Sequence, residues 1–125
     1  MSFVKGLKLS GNHLTRFPDL KGISKSIQLL DLSDNRIRDI SPIAQSGIED
    51  ILQLDLSYNR IVSIPDDFKK VKIFVYLSFS NNQIKKIPAG VLKASSSLLQ
   101  LFLQNNEIEV IEKGSFDGMT SLIGM

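Results

Sequence analysis

Asp31, Asp34 and Asp55 are the residues of this chain whose type and spacing come nearest to chemistry. Three carboxylates held together could bind a divalent cation or exchange a proton as acid and base. The partners that such a site needs are missing from the sequence. His13 is the single histidine and cysteine is absent, which leaves no Cys–His nucleophile pair and no thiolate metal site. There is also no Gly-x-Ser-x-Gly, no glycine-rich phosphate loop with a lysine, and no spaced His/Asp/Glu ligand set. His13 falls in a variable turn position, where a solvated side chain is expected. The aspartates are read as lying on an open sheet without a pocket, so no catalytic residue, metal or cofactor is expected.

The elements that carry these residues follow a strict period. Asn12, Asn35, Asn59, Asn82 and Asn106 recur at steps of 23, 24, 23 and 24 residues. Each closes the same frame: apolar, two variable, apolar, one variable, apolar, two variable, Asn, one variable, apolar. The first unit reads Val4, Leu7, Leu9, Asn12, Leu14, Phe17, and the second Ile27, Leu30, Leu32, Asn35, Ile37, Ile40. The third is Ile51, Leu54, Leu56, Asn59, Ile61, Ile64; the fourth Phe74, Leu77, Phe79, Asn82, Ile84, Ile87; the fifth Leu98, Leu101, Leu103, Asn106, Ile108, Ile111. Such a period means a repeat solenoid. The 125 residues are read as one domain with five complete repeats, at about 4–26, 27–50, 51–73, 74–97 and 98–121, and the start of a sixth at 122–125.

Apolar residues two apart, such as Leu54 and Leu56, share one face of a short strand. One strand cannot bury that face. Stacking the units about 4.8 Å apart joins the faces into a continuous core beneath a parallel sheet. Each asparagine sits where the chain leaves its strand. Its amide, with two donors and an acceptor, can satisfy turn backbone in its own and the adjacent repeat, so the five are read as structural rather than as a binding site. The returns, with Pro65 and Pro88 after the last apolar slot, predict short helical or irregular turns on the far side.

Composition narrows the class. Hydrophobic residues make up 42% and charged residues 22%, with a formal charge of +2, and no run of apolar residues is long enough for a membrane span. So small a charge gives no general reason to expect nucleic acid, and a membrane would be reached only through flanking segments.

The frames Leu30-Asp31-Leu32-Ser33-Asp34-Asn35-Arg36-Ile37 and Leu54-Asp55-Leu56-Ser57-Tyr58-Asn59-Arg60-Ile61 resemble the leucine-rich repeat family, over residues 4 to 125. The resemblance implies an α/β solenoid, a curved horseshoe with the sheet on its concave face. The Ile64-Pro65-Asp66-Asp67-Phe68 return and Gly114-Ser115-Phe116 are similar to the typical repeats of extracellular animal members such as Toll-like receptors. Phe17-Pro18-Asp19-Leu20 and Ile40-Ser41-Pro42-Ile43 look closer to intracellular phosphatase-regulator repeats. Solenoid ends need polar caps, and apolar Val4, Leu122 and Met125 lie where a cap would be. The expectation is therefore part of a longer protein, with self-association through uncapped ends as the other outcome.

Strand alternation turns three columns outward over the concave sheet. They are Gly6, Leu29, Gln53, Tyr76, Gln100; then Lys8, Asp31, Asp55, Ser78, Phe102; then Ser10, Ser33, Ser57, Ser80, Gln104, with Asp34 and Tyr58 just beyond. Aromatic residues on a rigid sheet suit a protein ligand, which makes Asp31, Asp55, Tyr58, Tyr76 and Phe102 the candidate partner-binding residues. A second strip, His13, Arg16, Arg36, Arg38, Arg60, Lys85 and Lys86, runs along the turn side and is read as a solvated face. The expected function is a non-enzymatic protein-recognition module of an extracellular or receptor-like protein. The alternative is a cytoplasmic adaptor or enzyme regulator on the same repeats.

Overall fold

The computed structural model describes residues 4–116. The sixth repeat expected from residue 122 lies outside them. Five strands form one parallel sheet in the order β1-β2-β3-β4-β6. They are β1 (Gly6–Lys8), β2 (Leu29–Asp31), β3 (Asp50–Asp55), β4 (Lys72–Ser78) and β6 (Gln100–Phe102). A second sheet, absent from the sequence reading, pairs β5 (Lys86–Ile87) with β7 (Val110–Ile111), also parallel. It forms where the last apolar slots of the fourth and fifth units, Ile87 and Ile111, come into register.

The frame residues form the core. Leu30, Leu32, Leu54, Leu56, Leu77, Phe79 and Leu101 are all at most 1% exposed, because residues two apart on each strand point to the same side. The returns are 3-10 turns at Ser41–Gln45, Asp66–Lys70 and Lys93–Ser95. Pro65, extended at φ −68° and ψ 151°, stops the strand direction just before the second of them. Such turns take more room side by side than strands about 4.8 Å apart, which curves the stack toward the sheet. Phe68, from the return of the third unit, is fully buried with its ring centroid 5.5 Å from that of Phe79.

The fourth unit departs from the frame. Ile73, not Phe74, fills its first apolar slot: Ile73 pairs with Ile51 and is fully buried, and an irregularity follows before Gln53 pairs with Tyr76. Phe74 is half-buried, and the Lys72 ammonium lies 4.8 Å from its ring centroid. The bulge absorbs one residue, so both units reach Leu54 and Leu77 in register.

The asparagines bridge neighbouring units. Asn59 donates from Nδ2 to the carbonyls of Leu32, at 2.9 Å, and of Leu56 and Ser57, both at 3.2 Å. Its Oδ1 accepts from Ile37 N at 3.0 Å. Asn35, Asn82 and Asn106 repeat the pattern, each reaching back to the unit before. The side-chain amide of Asn12, with no described unit before it, donates only within its own turn, and the residue is exposed.

Candidate functional site

The concave face is built by the central residues of the five strands. Asp31 pairs with Asp55, and Asp55 with Ser78, so the two carboxylates are direct neighbours. Each is half-occupied by its own turn. Asp31 Oδ1 accepts from Ser33 N at 3.0 Å and Ser33 Oγ at 2.6 Å; Asp55 Oδ1 accepts from Ser57 N at 2.9 Å and Ser57 Oγ at 2.6 Å. Ser78 does the same work for the fourth unit, accepting from Ser80 N at 3.3 Å. The signal was present in the sequence as an acidic or hydroxyl residue two before a serine. The turn bonds of each aspartate are made to Oδ1 alone.

These bonds correct one expectation. In the column of Ser10, Ser33, Ser57, Ser80 and Gln104, Ser57 and Ser80 do not stand on the face: they are only 8% and 7% exposed, bonded to the residue two before, whereas Ser10 and Gln104 are exposed and Ser33 is half-buried. The surface is therefore narrower than alternation alone implies.

Tyr76 and Phe102 lie on the diagonal between β4 and β6, with ring centroids 5.4 Å apart and planes tilted by 44°. Both are half-buried, so Phe102 is not the freely exposed ring that its position implied. Lys8, Leu29, Asp31, Gln53, Asp55 and Tyr76 line a shallow hollow of about 220 Å³ beside the pair. Burial, and then the negative charge of Asp55, push the Tyr76 phenol above its ordinary value of 10.0. A phenol raised in the folded state contributes stability that is complete below the unfolded value and lost as pH climbs through the folded one. Stability is expected to fall above pH ~10, and Tyr76→Phe to lessen that fall, as read from urea unfolding across the alkaline range. An unchanged slope in the variant would remove Tyr76 as its source.

Tyr58 is the outward aromatic, 60% exposed. It is also held in the left-handed region at φ 56°. The equivalent residues, Gly11, Asp34, Asn81 and Asn105, share that conformation and are types that tolerate it. An aromatic side chain there carries about 1 kcal/mol of backbone strain. Tyr58→Asn is expected to raise stability by roughly 0.5–1 kcal/mol, seen as a higher urea midpoint at constant slope. A lower midpoint would show that packing of the ring outweighs the strain. A strained, exposed tyrosine is not explained by folding, which makes it the residue of this face that folding least requires.

Asp34 is exposed and lies in the same column as Tyr58, beside rather than facing the Asp31–Asp55 pair. Among the described residues no cluster of His, Asp or Glu has the geometry of a metal site.

A family model for the leucine rich repeat matches residues 25–80 and 75–123. The chain belongs to the leucine-rich repeat family. Its repeats are of the type found in extracellular leucine-rich repeat proteins of animals. It is 32% identical over 121 residues to lumican of Gallus gallus, a match covering 95% of this chain and 34% of lumican. It is 29% identical over 115 residues to fibromodulin of Sus scrofa, covering 92% of this chain and 75% of that sequence. Among solved structures, the leucine-rich repeats superpose on the TLR13–ssRNA13 complex with a TM-score of 0.83 at 28% identity, over 97% of this chain and 17% of that one. A leucine-rich repeat protein of Leptospira interrogans gives 0.78 at 29% identity, over 97% and 30%. The chain thus spans about a third of the length of lumican.

Proposed function

We propose that this chain is a non-enzymatic protein-recognition module whose concave sheet is the ligand-binding face, within a larger extracellular or receptor-like protein. The observation that carries this reading is Tyr58, exposed and held at φ 56° where the other units place Gly, Asp or Asn. It stands beside a rigid sheet bearing the Tyr76–Phe102 pair and the free oxygens of Asp31 and Asp55. Rigid aromatic side chains bury large area with little entropy loss, and a basic group of a partner would relieve the adjacent carboxylates. The extracellular setting is supported by the likeness to lumican and fibromodulin. TLR13 is seen with ssRNA13; here Asp31, Asp34 and Asp55 oppose a phosphate backbone, and no nucleic acid ligand is proposed.

The test uses a photoreactive phenylalanine placed at Tyr58 or Gln53 on the concave side, and at Lys69 or Lys93 on the convex side. Adducts with one protein from the concave positions alone are expected. That partner should then lose at least about tenfold in affinity with Tyr58→Ala or Tyr76→Ala. Asp55→Ser, the residue that Ser78 supplies in the next unit, removes the charge while keeping the turn bond. Adducts from the convex positions alone, or concave variants that bind normally while Arg36, Arg60 and Lys86 variants do not, would sink the reading.

A further inference from the structure

The charges of this chain are sorted by surface, and the sorting leaves one flank with more cations than carboxylates. In the position after each asparagine stand His13, Arg36, Arg60, Gln83 and Glu107. Arg36 N donates to Leu14 O at 2.7 Å and Arg60 N to Ile37 O at 2.9 Å, so these residues occupy successive rungs. Gln83 N to Ile61 O at 2.9 Å and Glu107 N to Ile84 O at 3.1 Å continue the column. Two residues further on in their units lie Arg38 and Lys85, with Glu109 N bound to Lys85 O at 2.8 Å. Arg16 and Lys86 lie one step beyond, level in the frame with Asp39.

All of these cations are exposed. Of them, only Lys86 has an ion-pair partner among the described residues, Glu112 at 3.5 Å; the other ion pairs belong to Lys25, Lys69 and Lys70. Asp39, exposed and level with Arg16 and Lys86, is the acidic residue of this strip in the first four units, and its Oδ1 accepts from Ser41 N at 2.8 Å; Asp31 and Asp55 lie on the concave face, and Glu107, Glu109 and Glu112 in the fifth unit. Arg36 and Arg60 on adjacent rungs repel each other, and this flank gains nothing for folding from keeping both.

We propose that this flank binds a linear sulfated polysaccharide, running across the first four units. The cations occupy three neighbouring columns of one strip, on rungs about 4.8 Å apart, which suits a charged chain laid along the strip better than a flat membrane. Arginine presents a planar fork that takes two oxygens of one sulfate, and Arg36 and Arg38 of the second unit adjoin Arg60 of the third. The strip carries no Phe, Tyr or Trp, the side chains on which unpaired bases stack, so a single-stranded nucleic acid is a poorer fit. The acidic fifth unit limits the track at one end. This surface is separate from the concave face, and either binding mode can fail without the other.

The test measures binding of a heparin oligosaccharide to the chain at rising salt. Affinity is expected to fall steeply with ionic strength, and the Arg36→Ala/Arg60→Ala pair to reduce it about tenfold. Arg36→Lys/Arg60→Lys should give a smaller loss, since charge remains but the fork does not. Asp55→Ser and Tyr76→Ala should leave it unchanged. Equal binding by the Arg36/Arg60 alanine variant would overturn the proposal. So would undiminished binding of a desulfated oligosaccharide, or binding confined to phosphatidylserine vesicles or a homopolymeric RNA.

Discussion

Asn59→Asp is expected to destabilise the chain by about 3–5 kcal/mol. The amide nitrogen of Asn59 donates to Leu32 O, Leu56 O and Ser57 O, and its oxygen takes the Ile37 N–H. A carboxylate at that position would point a charged oxygen at three carbonyls in a site that is only 7% exposed. The cost is a large part of the roughly 5–15 kcal/mol that holds an ordinary domain folded. It also falls on two units at once, because Leu32 O belongs to the preceding strand. The same change at Asn12, which is exposed and whose side chain bonds only to Leu9 O and Ser10 O of its own turn, should cost under about 1 kcal/mol. Urea unfolding of the two variants checks the gradient. Equal effects at Asn12 and Asn59 would show that the bonds between units are not what the asparagine supplies.

Phe68→Ala should cost a similar amount, about 3–5 kcal/mol, for a different reason. Phe68 comes from a return segment, yet it is 0% exposed and packs against Phe79 of the next unit with the ring planes tilted by 59°. Removing the ring leaves a cavity between the 3-10 turn at Asp66–Lys70 and the strand layer. The turn cannot close that space, because its ends are fixed by Pro65 and by Val71, itself 1% exposed. Phe68→Leu should recover about half or more of the loss, as measured by the urea midpoint. If the alanine variant lost less than about 1 kcal/mol, the return segments would be covering the core rather than forming part of it.

Most of the architecture was legible because it repeats. The spacing of Leu30 and Leu32, of Leu54 and Leu56, and of the asparagines after them is local, and each unit states the same pattern. The parallel sheet and the short helical returns both follow from it. Phe74 shows where the reading stopped. A hydrophobic residue stood in the expected slot, but Ile73 fits it once the strands pair, and the half-buried aromatic leans under the Lys72 ammonium instead. Two adjacent apolar residues cannot be ranked from the sequence when a bulge can shift either inward.

For the proposed binding face, the sequence gives positions along the strands and not the condition of each side chain. Asp31, Asp55, Tyr58, Tyr76 and Phe102 do lie on or beside the strands that make the concave face. Their condition differs from residue to residue. The aspartates spend one oxygen on the turn, Tyr76 and Phe102 half-bury each other, and Tyr58 alone stands clear.

The sequence by itself determined that the chain is a leucine-rich repeat solenoid and most of the residues that enter its core. Those properties depend on periods of two and of about 24 residues, and a period needs no coordinates to be read. Only the tertiary structure decided that Ile73 takes the slot read for Phe74, that Tyr58 is strained, and that Arg36 and Arg60 make no ion pair among the described residues. The bonds that join units are made by neighbours 21 to 28 residues away along the chain, as in Ile61 N to Asn82 and Ser115 to Ile87. Such neighbours exist only once the units have stacked.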